Sequence, residues 1–370
     1  MANMSPLMRT LRAATVVALA ATICLVARAE QKTKHVIFVM TDGARWQDAF
    51  RGADEALMNK QSGVEDVEGL TREFWRNSPA ARREVLMPFL WTVIARQGQV
   101  YGNRDLESDA YVTNGMNFSY PGYSEILCGF PDERIDSNDK KQNPNVTVLE
   151  WLQSRPGFKG RIAVFGAWEL FPYILNVPRS GLMVNAGYDP LKMSPMTPHF
   201  ELLNRLKVET GIWNGEPLDA LTFHTAMGYL QAKRPRVLYL SLGETDEWAH
   251  SGRYDLYLRS LNRADEYVRK LWETVQRMPE YRGSTSLILG VDHGRGLAPE
   301  EWKSHGRKVP DSKYVWMAFM GPDTPPLGER SKIEAVTQSQ VAATLAALLG
   351  ENYAGSVPNV GKPIPDVVRR

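Results

Sequence analysis

Seven side chains stand out by type and position. Asp42 follows the apolar run His35-Val-Ile-Phe-Val-Met40. Asp246 and His250 follow a second such run, Pro235–Leu242, and Asp292 and His293 follow a third, Ser286–Leu289. His305 lies in the loop beyond the third, and Ser119 sits just before a short stretch entered by Pro121-Gly122 and stopped by Gly129. Carboxylates and imidazoles are what a borderline divalent cation takes when no thiolate is offered. Asp246 and His250 are four residues apart, so one helical turn puts both on one face. Three carboxylates, three imidazoles and one hydroxyl are the right set for two metals close together, each with open positions, and such a pair suits hydrolysis. Each stretch alone also has a plain structural reading. Asp42 before Gly43 makes an Asx turn or a helix cap, and Asp246–His250 makes a charged helix start. Ser119 is either an N-cap or a nucleophile held at the positive end of a helix. The weight lies in the recurrence of one pattern, an apolar run ending in a carboxylate.

That pattern implies the scaffold. Short, branched-rich apolar runs bounded by Gly read as buried strands, and buried parallel strands present functional groups at their carboxyl ends. Further strands are expected at Arg161–Gly166 and Trp316–Met320. Helices are expected over 87–98, 146–153, 216–232, 253–278 and 337–349. Strands alternating with helices predict an α/β fold with a doubly wound, mostly parallel central sheet flanked by helices. Residues 52–85 are charged and aperiodic and read as a surface insertion. Residues 168–215, rich in Pro, Gly, Asn and aromatics, read as a small irregular cap. His199 and His224 have no ligand-type surroundings and read as structural.

The chain has 370 residues, 43% of them hydrophobic, and a formal charge of +2, so nothing global points to nucleic acid. Residues 1–29 read as an export signal: Arg9 and Arg12, the apolar stretch Ala13–Val26, and an A-x-A cleavage site at Ala27-Arg28-Ala29. Cleavage would leave residues 30–370 as a single domain, nearly neutral and without a membrane anchor, in the periplasm or outside the cell. It would also leave Cys128 as the sole cysteine, which excludes intramolecular disulfides and thiolate metal clusters.

On these residues the chain resembles the alkaline phosphatase superfamily, in particular its phosphodiesterase and nucleotide pyrophosphatase branch. The resemblance runs from about His35 to Gly350. It implies an alkaline-phosphatase-like fold in which Asp42, Ser119, Asp292 and His293 hold one metal and Asp246, His250 and His305 hold a second. Zinc is the expected metal and manganese the alternative. Ser119-Tyr-Pro121 lines up with the family's Thr/Ser-x-Pro nucleophile motif, which implies a covalent phosphoserine-type intermediate on Ser119; Ser124 is the fallback. Asn138, with Asn117 as rival, is the candidate for the oxyanion-stabilising Asn. The same window resembles the sulfatase signature, except that Tyr123 stands where sulfatases carry Arg.

The expected substrate is a small phosphate mono- or diester, and a nucleotide is the only nucleic-acid component expected to bind. Arg45, Arg253 and Arg295 neighbour proposed ligands and are candidates to hold phosphate. Trp46, Trp248 and Trp302 are candidates for an aromatic wall. A phosphomutase-like or sulfatase-like member, or a metal-containing binding protein without turnover, are the rival readings. The roughly 120 residues between Ser119 and Asp246 leave little room for the large inserted domain that phosphomutase-like members carry. The sequence does not fix an oligomeric state.

Overall fold

The computed structural model describes residues 31–369; the expected export signal at 1–29 lies outside the described residues. Among the described residues there are ten strands: β1 (His35–Thr41), β2 (Gly98–Tyr101), β3 (Ala110–Tyr111), β4 (Ile162–Gly166), β5 (Met183–Ala186), β6 (Val237–Leu242), β7 (Thr285–Gly290), β8 (Met317–Met320), β9 (Gly328–Glu329) and β10 (Val336–Thr337). Eight form one sheet in the order β5-β4-β6-β1-β7-β8-β2-β9, and β3 pairs with β10 beside it. Strand β8 runs antiparallel to both neighbours and the other pairs are parallel. This is the expected doubly wound, mostly parallel sheet.

Strands β6, β1 and β7 lie side by side and are buried along their whole length. Their register aligns Thr41 with Leu242 and Met40 with Gly290, so all three release the chain at one edge. Asp42, Asp246 and Asp292 therefore leave the sheet together. The helices that cover it include α1 (Trp46–Arg51), α2 (Val67–Phe74), α3 (Pro79–Leu86), α4 (Ser119–Cys128), α5 (Pro198–Glu209), α6 (Asp219–Lys233), α7 (Glu244–His250), α8 (Tyr254–Arg277) and α9 (Val341–Leu348). Helix α8 shows the expected amphipathic spacing: Tyr254, Tyr257, Leu258, Leu261, Ala264, Val268, Leu271 and Val275 are buried on one stripe. No helix among the described residues is long and apolar enough to cross a membrane.

Two sequence expectations change. Residues 52–85 are not a loose insertion. They hold α2 and α3, which bury Leu70, Phe74 and Leu86, and Asn262 of α8 donates to the Leu86 carbonyl at 2.8 Å. In α2 the apolar residues Val67, Leu70 and Phe74 do fall on one face, but eight residues give the pattern only two turns among many charges. Residues 168–215 likewise contribute the edge strand β5 and the helix α5 rather than an irregular cap; both belong to the compact unit that spans 32–369.

Helix α4 is buried along its whole length and ends at Gly129, whose φ of +83° makes the left-handed stop. The buried Glu125 ties it to the preceding loop, accepting from the backbone N–H groups of Thr113 and Asn114 and from the hydroxyls of Thr113 and Ser339. Gly122 lets α4 approach the β7 edge: a Cβ there would lie 2.3 Å from the carbonyl oxygen of Asp292. Gly122→Ala should therefore push α4 off that edge and destabilise the fold by about 1–3 kcal/mol. Thermal unfolding checks this, and an unchanged midpoint would show that the approach is not tight.

Candidate active site

The sheet edge gathers the predicted residues into two groups. Asp42, Asp292 and His293 offer ligand atoms that all lie within 4.8 Å of one another, and so do Asp246, His250 and His305. The family resemblance implies the same groupings with Ser119 added to the first. The first group is buried. His293 Nε2 stands 3.3 Å from Asp42 Oδ1 and 3.4 Å from Asp292 Oδ2. Its Nδ1 is 2.9 Å from the Gly294 carbonyl, which fixes the ring and turns Nε2 inward. The other carboxylate oxygens are held from behind. Tyr123 donates to Asp42 Oδ2 at 2.9 Å and lies 2.8 Å from Ser241 Oγ. The Gly43 N–H donates to Asp292 Oδ1 at 3.1 Å. Gln338 Nε2 donates to the Asp292 carbonyl at 2.7 Å.

The second group is more open. On α7, Asp246 and His250 do share one face, with His250 Nε2 3.0 Å from Asp246 Oδ2. His305 approaches from its loop to 2.9 Å from His250 Nε2 and stacks on His293 with ring centroids 4.0 Å apart. The buried Arg295 joins the two halves, donating to the Gly43 and Lys303 carbonyls and to Asp246. Gly43 has a φ of +57°, and a Cβ on it would lie 2.6 Å from Asp246 Oδ1. Only glycine lets the turn after Asp42 pass that close.

Ser119 is the first residue of α4, not its cap; Phe118 takes the cap position. Its Oγ is 3.4 Å from His293 Nε2. Ser124 is elsewhere, buried between Cys128 Sγ and Asn143 Nδ2. The helix end offers fewer free donors than expected, because Pro121 has no N–H and Tyr120 gives its own to Asn138 Oδ1 at 3.0 Å. The Asn138 Nδ2 amide has no protein acceptor among the described residues. The carbonyl of Asn117 lies 3.3 Å from His305 Nδ1 and orients that ring.

Other candidates stay outside the cluster. Arg45 is 1% exposed and faces Asp48 and Asp54 at 3.3 Å each. Trp46 is buried, with the Arg51 guanidinium over its ring. Trp302 packs on Tyr254 in the core, and Arg253 pairs with Asp255 and Glu65. Trp248 lies between Asp246 and His250 on α7, so the helix turns it to another face, where it is partly buried and meets Trp213 with ring centroids 4.7 Å apart. Sequence reading missed Gln338, Glu125 and Glu216. Tyr123 had one signal, its place four residues after Ser119 on the same helix. Glu216 had none, since only tertiary packing brings it near.

The charges and the unpaired oxygens show what the site can hold. Burial, and then the negative Asp246, push Asp42 up to about 7, and burial with Asp42 pushes Asp292 well above the carboxylate range. Burial would raise Asp246 as well, but the Arg295 guanidinium and His250 hold it well below. Burial lowers His293 to about 4, and burial with the neighbouring His293 lowers His305 to about 3, so both imidazoles are neutral near pH 7. Asp42 Oδ1 and Asp292 Oδ2 are buried with no hydrogen-bond partner. Two orphaned carboxylate oxygens facing a neutral imidazole nitrogen fit a divalent cation.

Among solved structures, the wild-type alkaline phosphatase PafA superposes with a TM-score of 0.57 over 91% of this chain and 99% of its own, at 11% identity. The chain has the fold of the alkaline phosphatase superfamily. A protein of that superfamily from Vibrio parahaemolyticus matches with a TM-score of 0.51 over 87% of this chain and 67% of its own, at 12% identity. The phosphonate monoester hydrolase SpPMH from Silicibacter pomeroyi gives 0.53 over 90% and 76%, at 13% identity. No protein-family model matches the sequence, and no match was found among curated proteins. In this fold the β6-β1-β7 edge is where the two groups meet.

A pH dependence follows. The raised Asp42 and Asp292 bind more protons in the metal-free folded chain than when unfolded. Their contribution to stability is thus present at low pH and lost as pH rises through about 7. A bound cation needs the same carboxylates deprotonated. Adding zinc to chelator-treated protein should therefore raise the melting temperature more at about pH 8 than at about pH 5.5. Equal shifts at both would contradict this account.

Proposed function

We propose that the chain is a two-metal phosphate ester hydrolase with Ser119 as nucleophile. The observation that carries this reading is the position of Ser119 Oγ, 3.4 Å from His293 Nε2, at the first turn of α4 and against the Asp42/Asp292/His293 group. Asp42, Asp292, His293 and Ser119 would hold one divalent cation, and Asp246, His250 and His305 the other. Bound there, the two cations would supply Lewis-acid stabilisation of the phosphoryl charge and lower the pKa of the Ser119 hydroxyl. The Asp/His donor set favours zinc, with manganese the alternative.

The chain's own residues have distinct tasks. Ser119 Oγ gives up its proton to solvent and forms the new bond to phosphorus while the ester's P–O bond breaks; the electron pair leaves with the alcohol oxygen, which takes a proton from water. Water then cleaves the phosphoserine and restores the hydroxyl. Asn138, anchored through Oδ1, directs its amide Nδ2 toward a phosphoryl oxygen. Tyr123 fixes Asp42 from behind, so that only one of its carboxylate oxygens turns to the centre. Tyr123 also fills the place of the sulfatase Arg and is already engaged with Asp42 and Ser241, which favours phosphate over sulfate esters. Arg9, Arg12, the apolar run and the A-x-A site support export.

Metal analysis of the purified protein should find about two divalent ions per chain. The same sample should hydrolyse p-nitrophenyl phosphate or bis-p-nitrophenyl phosphate well ahead of p-nitrophenyl sulfate. Preference for the sulfate would move the function to a sulfatase, and metal without turnover would move it to binding. Ser119→Ala should cut turnover roughly a thousandfold or more while keeping the metals. If Ser124→Ala does so instead, the nucleophile is Ser124.

A further inference from the structure

Helix α7 carries two ligands of the second group, yet its seven residues are too few to be stable alone. What fixes its start is a pair of acids that the proposed reaction does not use. Asp219, the first residue of α6, turns its carboxylate to the start of α7. Its Oδ1 accepts the Gly243 N–H at 2.7 Å and its Oδ2 the Glu244 N–H at 3.2 Å. Glu244, the first residue of α7, reaches the other way. Its Oε1 accepts the Asp219 N–H at 3.0 Å, and its Oε2 accepts from Arg263 of α8 at 2.6 Å. Each acid thus caps the helix that the other begins. Both are 3% exposed, so water does not compete for these bonds.

Two buried carboxylates side by side are costly unless each oxygen is matched. Here all four oxygens have a donor, and the Arg263 guanidinium sets a positive charge against them. One carboxylate on two adjacent N–H groups resists both sliding and rotation of α7. Thr245, next in the chain, donates its hydroxyl to the Asp42 carbonyl and ties α7 to the end of β1. Asp246 follows directly, and His250 lies one turn on. A shift of the first turn of α7 therefore moves both ligands together. The first group takes its supports elsewhere, from Tyr123, the Gly43 N–H and the paired ends of β1 and β7.

Resting on the two-metal reading above, we propose that Asp219 and Glu244 are positioning residues for the second metal. Their reciprocal caps set the place of α7 and hence the geometry that Asp246 and His250 present. Their effect falls on one ion of the two.

The test is stepwise zinc binding to chelator-treated protein, read by calorimetry. His250→Ala identifies the step that belongs to the second group. Asp219→Ala should weaken that step about tenfold or more and leave the other within about twofold. Equal weakening of both steps, or of neither, overturns the proposal, since a merely structural residue acts on both or on none. If Asp219→Ala does not fold, Asp219→Asn is measured instead. It keeps one acceptor and should weaken the same step by about threefold; absence of a selective loss overturns the proposal. If the wild type binds no second ion, the two-metal reading has failed, and the caps are judged by hydrogen exchange on the metal-free protein. Faster exchange in the variant, confined to residues 243–251, supports them, and unchanged exchange there overturns them.

Discussion

The structure depends on the crowding of like charge at one sheet edge. β6, β1 and β7 are adjacent and in register; β1 and β7 lead directly into Asp42 and Asp292, and the helix that follows β6 brings Asp246 to the same space. Removing a carboxylate from water without a partner costs several kcal/mol, and here the aspartates also repel one another. The fold meets this with one neutral donor each for Asp42 and Asp292 and a guanidinium for Asp246. Tyr123 takes one oxygen of Asp42 and the Gly43 N–H takes one of Asp292. Arg295 takes Asp246. What is left over, Asp42 Oδ1 and Asp292 Oδ2, is oriented but unsatisfied. Much of the surrounding architecture is the means of holding that state: the buried α4, the Glu125 anchor, the close approach at Gly122 and the left-handed Gly43 all keep the oxygens from turning away or meeting water.

The strands and the ligands were legible because both depend on local pattern. An apolar run that stops at an aspartate declares a buried strand and the edge at which it ends, and one helical turn between Asp246 and His250 is a matter of spacing alone. What could not be read depends on packing between distant segments. The short helices α2 and α3 carry too few turns for a period to stand out among the charges, so residues 52–85 looked like an insertion. Arg45 and Trp46 follow a ligand closely in sequence, yet α1 turns them into the core toward Asp48, Asp54 and Arg51. Nearness along the chain says little once a tight turn has reversed direction. Conversely, Gln338 and Glu216 are far from any ligand in sequence and reach the site only through the fold.

The two metal-ligand groups differ in kind, and the difference gives the site a direction. Asp42, Asp292 and His293 are buried and sit directly on strand ends, where the sheet fixes them. Asp246, His250 and His305 are partly open and rest on a seven-residue helix and a loop. Ser119 stands against the buried group, so in the proposed reaction the attacking oxygen belongs to the rigid side and the departing alcohol to the open one. That side is also where α7 meets the segment ending at Glu216, with Trp213 against Trp248. The rigid side would then set the chemistry, common to any phosphate ester, and the open side would select the alcohol. Helix α7 itself has little freedom to vary, since it carries Asp246 and His250 and its Thr245 hydroxyl donates to the Asp42 carbonyl, so variation in substrate is expected to reside in the 168–216 segment.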